Sequence, residues 1–211
     1  SESKKIKIAV KSLGLDDLAP FKPEERIIEY RIREKGQYPL LEMNLREFAE
    51  ETASESPAPG GGSISAYAGS LGAALSTMVA NLSANKRGWD DRWEEFSDYA
   101  VQGTILQEEL LSLVDADTAA FNGIMEAYGM PKSSEEQKMA RAEAIQAATK
   151  HAIDIPMQVA EVAFKAMDVA EAMAQIGNPN SITDAGVGAM CLRTAVMGAV
   201  LNARVNAGDL D

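Results

Sequence analysis

Apolar residues in this chain recur at helical spacing, three or four apart, over most of its length. Asn44, followed by Glu47 three residues on, has the form of a capping box and opens a short helix to about residue 54. Pro57-Ala58-Pro59-Gly60-Gly61-Gly62-Ser63 is the sharpest break, and Ser63 is expected to cap a long helix running to about residue 84. A third helix is predicted from Asp90 or Asp91 to Tyr128, closed by Gly129-Met130-Pro131. Ser133 or Ser134 opens a fourth, which either stops near Asp154 or passes Pro156 with a kink. A fifth is expected over 157–176. Gly177-Asn178-Pro179-Asn180 then breaks the chain, and Ser181 opens a last helix to about Asn206.

Nothing between 44 and 211 reads as a strand. The expected fold is all-α, an up-and-down bundle of about five to six helices with an extended N-terminal arm. Ala66, Gly69, Ala73, Ser76 and Ala80 form a stripe of small residues, read as a seam of close helix packing. Residues 1–43 differ from the rest. Lys4 to Val10 alternates partly like a strand or extended arm, Pro20 and Pro23 bar a helix interior, and Gly36 and Pro39 punctuate a connection. The predicted organisation is therefore an arm or linker at 1–43 and a helical domain at 44–211.

Composition narrows the function classes. Hydrophobic residues make up 46% and charged residues 25%, a globular balance. With 20 Lys and Arg against 32 Asp and Glu, the net charge of −12 argues against nucleic acid or an anionic membrane as partner. No apolar run is read as long enough for a bilayer, and the first eleven residues lack the apolar core of a signal peptide. The chain opens on Ser1, so a processed or excised start is expected. Cys191 stands alone, so no disulfide framework forms within the chain, and a reducing cytoplasm is the expected setting. His151 is the only histidine and its neighbours support no catalytic triad, so it is expected at the surface. One His and one Cys make a transition-metal site unexpected.

The chemistry is concentrated on a few positions. Leu106, Leu110, Leu113, Asp117, Phe121, Ile124 and Tyr128 share one helical face, six apolar or aromatic residues and one carboxylate. A carboxylate in that setting needs a partner or a task. Burial would raise its pKa toward the range useful for general acid–base work. The face pattern leaves two readings open for Asp117: an acid–base group, or a satisfied buried aspartate bonding a neighbouring helix end. Asp115 points elsewhere, toward Glu108 and Ser112, and is expected to be solvated. On the last helix, Asp184, Gly188, Cys191, Ala195, Gly198, Asn202 and Asn206 share a face, with room for a flat ligand or, alternatively, another close helix contact. Gly60, Gly61 and Gly62 before Ser63 expose backbone N–H groups at a helix start, a weak anion-site signal that is neither a Walker motif nor a dinucleotide fingerprint. Lys86 and Arg87 form a basic cluster that could hold a ligand carboxylate or simply be solvated.

Taken together, Ser56 to Ser63, Leu71 to Val79, Leu113 to Phe121 and Gly177 to Asp184 resemble the formiminotransferase-cyclodeaminase family, over about 44–207. Leu13 to Phe21 and Glu24 to Tyr30 look like the tail and linker joining the transferase half to the cyclodeaminase half, so the chain resembles a cyclodeaminase domain either excised from a longer protein or encoded with a relict arm. The resemblance implies a lyase of one-carbon metabolism and histidine degradation. It would close 5-formimidoyltetrahydrofolate to 5,10-methenyltetrahydrofolate with release of ammonia, taking a tetrahydrofolate derivative as substrate and needing no prosthetic group. It implies an acid–base aspartate within Asp115 to Phe121, a role the helical face assigns to Asp117, that Asn180 or Asp184 reads the pterin edge, and that Gly60, Gly61, Gly62, Ser63, Lys86 and Arg87 hold the aminobenzoyl-glutamate tail. It further implies a homodimer or larger homo-oligomer, with a site where two bundles meet, and a formiminotransferase domain as partner. The rival readings are a methenyltetrahydrofolate cyclohydrolase and a non-catalytic helical oligomerisation domain.

Overall fold

The computed structural model describes residues 8–15, 21, 39–208 and 210. Among these there is no strand, and the chain divides into two units, 1–39 and 40–211. In the first unit, residues 8–12 form a short helical stretch closed by a turn at Gly14, whose φ of 63° suits glycine. The strand-like reading of Lys4 to Val10 is thus corrected at residues 8–10, and its earlier part lies outside the described residues.

The second unit holds five helices: α1 (Leu45–Thr52), α2 (Gly61–Ala84), α3 (Trp93–Gly129), α4 (Glu135–Ile176) and α5 (Ile182–Ala207). One-turn 3-10 segments, Asp90–Arg92 and Pro179–Ser181, lead into α3 and α5. The four long helices follow one another through short connections, and α2 packs against the other three. Small residues allow this. Gly72 faces the Gly188 carbonyl and Leu192 of α5, Gly69 faces Ala195 and Leu110, and Gly103 of α3 faces Thr77. The stripe predicted from the sequence is therefore the packing seam, with Ala66, Gly69, Ala73, Ser76 and Ala80 all buried. Phe96, Leu110, Val79, Val159, Met173 and Leu192 fill the core between the helices.

Three sequence expectations change. Ser63 does not cap α2; Gly60 does, because the triglycine can begin the helix three residues earlier. The predicted fourth and fifth helices are one, α4, with Pro156 inside. Proline removes the N–H that would bond the Ala152 carbonyl four residues back. Asn206 of α5 supplies the missing donor, its Nδ2 lying 2.7 Å from that carbonyl. Finally, the stretch Pro179–Ala207 is long and apolar enough by length and composition to cross a membrane, which the sequence reading had not credited. Its Ala185, Leu192, Ala195, Ala199 and Ala203 are buried within the bundle, while Val187, Met190, Met197, Leu201 and Val205 are exposed.

Candidate active site

α3 carries two aspartates two residues apart, and each fixes a different segment. Asp115 was expected in solvent; it is only 7% exposed. Its Oδ1 accepts the Leu40 amide at 2.9 Å and its Oδ2 the Leu41 amide at 3.3 Å. The segment leading into α1 covers this side of α3, so the face that seemed free is occupied.

Asp117 faces α2. Its Oδ2 accepts the Ser63 backbone N–H at 2.8 Å and lies 3.1 Å from the Ser63 hydroxyl, which is also 2.9 Å from the Val114 carbonyl and 3.2 Å from the Thr118 hydroxyl. This satisfies one of the open amides at the start of α2, so Asp117 does bond a neighbouring helix end. Only one of its oxygens is used that way. Oδ1 accepts no hydrogen bond among the described residues and lies against Gly62, where a β-carbon would overlap it. Burial pushes the Asp117 carboxyl above its ordinary value, and the two bonds from Ser63 hold it partly back.

Asp117 lines a pocket of about 150 Å³. Gly60, Gly61 and Gly62 form one wall, Phe121 and Ile124 of α3 another, and Ala152 with Asn202 and Asn206 the third. The triglycine start of α2 lets backbone approach this closely: Gly61 packs on the Asn202 side chain as Gly62 packs on Asp117. The pocket is smaller than the roughly 300–1,000 Å³ usual for a drug-sized ligand, so one chain has room for only part of such a ligand.

The structure brings Gly60, Gly61, Gly62, Ser63 and Asp117 together. It does not bring Lys86, Arg87, Asn180 or Asp184 to them within one chain. α2 has 24 residues, so its ends are about 36 Å apart. Lys86 follows the far end, with its ammonium 3.7 Å from the Trp89 ring centre, and Arg87 is exposed. Asn180 lies on that side too, because the neighbouring Asn178 amide bonds Ser83 at 2.8 Å. Asp184 precedes by one turn Gly188, which packs on Gly72 and Ser76, midway along α2. His151 is exposed, and among the described residues no three His, Cys, Asp or Glu side chains form a metal cluster. Sequence reasoning placed Asn202 and Asn206 on a ligand-sized face of the last helix without choosing them; the structure puts them in the pocket wall.

Residues 44–211 match the family described as Formiminotransferase-cyclodeaminase, and residues 1–33 match the Formiminotransferase domain. The chain is 37% identical over 210 residues to formimidoyltransferase-cyclodeaminase of Mus musculus, covering 99% of this chain and 39% of that protein. It thus spans well under half the length of that relative. It is 38% identical over 167 residues to methenyltetrahydrofolate cyclohydrolase of Methylorubrum extorquens, covering 79% of this chain and 80% of that one. A crystal structure of formiminotetrahydrofolate cyclodeaminase from Thermotoga maritima superposes with a TM-score of 0.71 at 28% identity, over 82% of each chain.

Proposed function

The chain belongs to the formiminotransferase-cyclodeaminase family, and from that premise we propose that it cyclises 5-formimidoyltetrahydrofolate to 5,10-methenyltetrahydrofolate with release of ammonia. The observation that carries this reading is Asp117, which lines a pocket beside the glycine start of α2 and keeps its Oδ1 unbonded among the described residues.

The reaction needs one group that moves a proton. Folate N10 attacks the formimidoyl carbon, and a tetrahedral centre forms. Asp117, ionised, takes the N10 proton. It then delivers that proton to the amino group, the carbon–nitrogen bond breaks with its electron pair going to nitrogen, and ammonia leaves. The N5 lone pair closes the methenyl cation. Starting from the protonated formimidoyl group, atoms and charge balance with no other reactant. Raised pKa suits the alternation of base and acid, and before proton uptake and after proton delivery the ionised carboxylate stabilises the cationic amidinium and methenyl centres. The Ser63 bonds hold the carboxylate on its Oδ2 side and leave Oδ1 to act.

The rest of the substrate requires more surface than this pocket. A second copy can supply it. The outer sides of α2 and α5 expose Leu71, Met78 and Leu82, and Val187, Met190 and Met197. Apolar residues in such number mark an interface. A homodimer with its twofold axis across these helices runs the two copies antiparallel. It carries the Lys86, Arg87, Asn180 and Asp184 end of one copy toward the Asp117 end of the other, where the basic pair can meet the glutamate tail. The transferase match at 1–33 supports association with a formiminotransferase domain.

A second reading, hydrolysis of methenyltetrahydrofolate, is favoured by the Methylorubrum extorquens relative, which matches over most of its own length. Ammonia release from the formimidoyl substrate, assayed beside loss of the methenyl chromophore in water, separates the two. Ammonia release without methenyl hydrolysis supports the deaminase, and the reverse supports the hydrolase.

A further inference from the structure

Two side chains in the pocket wall have one end of their amide already committed. Asn206 donates from Nδ2 to the Ala152 carbonyl at 2.7 Å, the carbonyl that Pro156 cannot serve. Asn202 donates from Nδ2 to the Gly198 carbonyl at 2.8 Å and is packed against Gly61. A carbonyl partner fixes the orientation of each amide, since a flip would set oxygen against oxygen. What remains on each is the oxygen, an acceptor that meets no donor among the described residues, together with the second N–H. With Asp117 Oδ1 the pocket therefore gathers three acceptor oxygens, two neutral and one titratable, on residues that all line it. Around them stand the backbone at the start of α2 and Thr118. Such a set fits a small group rich in N–H bonds, and fits poorly a group that carries only C–H.

Resting on the cyclodeaminase reading, we infer that Asn202 and Asn206 are specificity-determining residues that accept hydrogen bonds from the N–H donors of the formimidoyl nitrogen. This sets the chain toward substrates whose leaving group is an amine. The protonated formimidoyl group presents two N–H bonds on its terminal nitrogen, and the ammonia formed from it presents three. The methenyl carbon presents none. The asparagines thus act on the one-carbon nitrogen, while Asp117 moves the proton. Pro156 has a part in this: by breaking the backbone bond within α4 it leaves Ala152 free to hold the Asn206 amide in the orientation that presents oxygen.

The test uses the whole chain with Asn202→Ala and Asn206→Ala made separately, and reads two ligands. The first is the KM for 5-formimidoyltetrahydrofolate in ammonia release. The second is the Kd for 5,10-methenyltetrahydrofolate, which carries the same pterin and tail but no N–H on its one-carbon unit. A lost bond to a charged donor predicts a KM raised about tenfold or more in each variant. The methenyl Kd is expected to stay within about twofold, because an acceptor with no donor to meet contributes little. Equal weakening of both ligands means the asparagines only shape the pocket, and overturns the inference; an unchanged KM overturns it too. Should Asn206→Ala fail to fold through loss of the Ala152 bond, Asn202→Ala leaves that region intact and decides alone. Wild-type protein inert toward both ligands overturns the underlying reading and this assignment with it, whereas active wild type with unselective variants overturns this assignment only.

Discussion

The carboxyl of Asp117 occupies the space that a side chain on Gly62 would need. The glycine start of α2 and the aspartate on α3 are one device, and the sequence motif at 60–63 has its meaning there rather than in a phosphate loop. Gly62→Ala is expected to fold, because Gly62 has ordinary helical backbone angles and alanine favours helices. It must push the carboxyl out of place, and a small misplacement of a reacting group costs about a hundredfold in rate. Steady-state ammonia release beside a thermal melt checks this: turnover falls about a hundredfold, while the melt, lowered by the displaced Ser63 bonds, still shows a cooperative folded protein.

Asp117 also leaves a signature in stability. Its folded pKa lies above the unfolded value, so the ionised form is disfavoured in the fold. Below the unfolded value near 3.8 there is no penalty. It appears as pH rises through that value and is complete above the raised folded one. Asp117→Asn removes the ionisation and keeps an acceptor for the Ser63 amide. Measured against wild type by denaturant titration, the variant should gain in relative stability between acid and neutral pH, while losing activity.

Removing the Asp115 side chain is predicted to destabilise the fold. Asp115 holds the amides of Leu40 and Leu41, so Asp115→Ala leaves two donors without their acceptor, a cost of about 1–3 kcal/mol. Hydrogen exchange at those two amides should accelerate well before exchange in α2 or α4 does. Asp115→Asn, which keeps one acceptor oxygen, should lie between.

The seam between α2 and α5 is tight at Gly72, where a β-carbon would sit 2.7 Å from the Gly188 carbonyl oxygen and 2.8 Å from Leu192 Cγ. The first of these is backbone and cannot swing aside. Gly72→Ala is therefore expected to destabilise by about 1–3 kcal/mol despite its better helix propensity, read as a lower melting temperature.

These positions also show what the sequence could tell. Helical period and the small-residue stripe were sufficient for the bundle, because both follow from local spacing. The face argument found Asp117, since an acidic residue among six apolar ones stands out on a single helix. It misplaced Asp115, because the segment that buries it comes from 75 residues earlier and has no mark in the local pattern. Pro156 read as an end or a kink, because the donor that serves the Ala152 carbonyl in its place, Asn206, lies 54 residues from Ala152. The resemblance grouped Lys86 and Arg87 with the Gly60–Ser63 turn, and the length of α2 parts them within one chain.

The most direct measurement is the rate of ammonia release by Asp117→Asn with saturating 5-formimidoyltetrahydrofolate, alongside a melt showing that the variant is folded. Loss of the proton-transfer group predicts a turnover about 10²–10⁴-fold below wild type with substrate binding largely kept. A folded Asp117→Asn protein releasing ammonia at the wild-type rate would contradict the account.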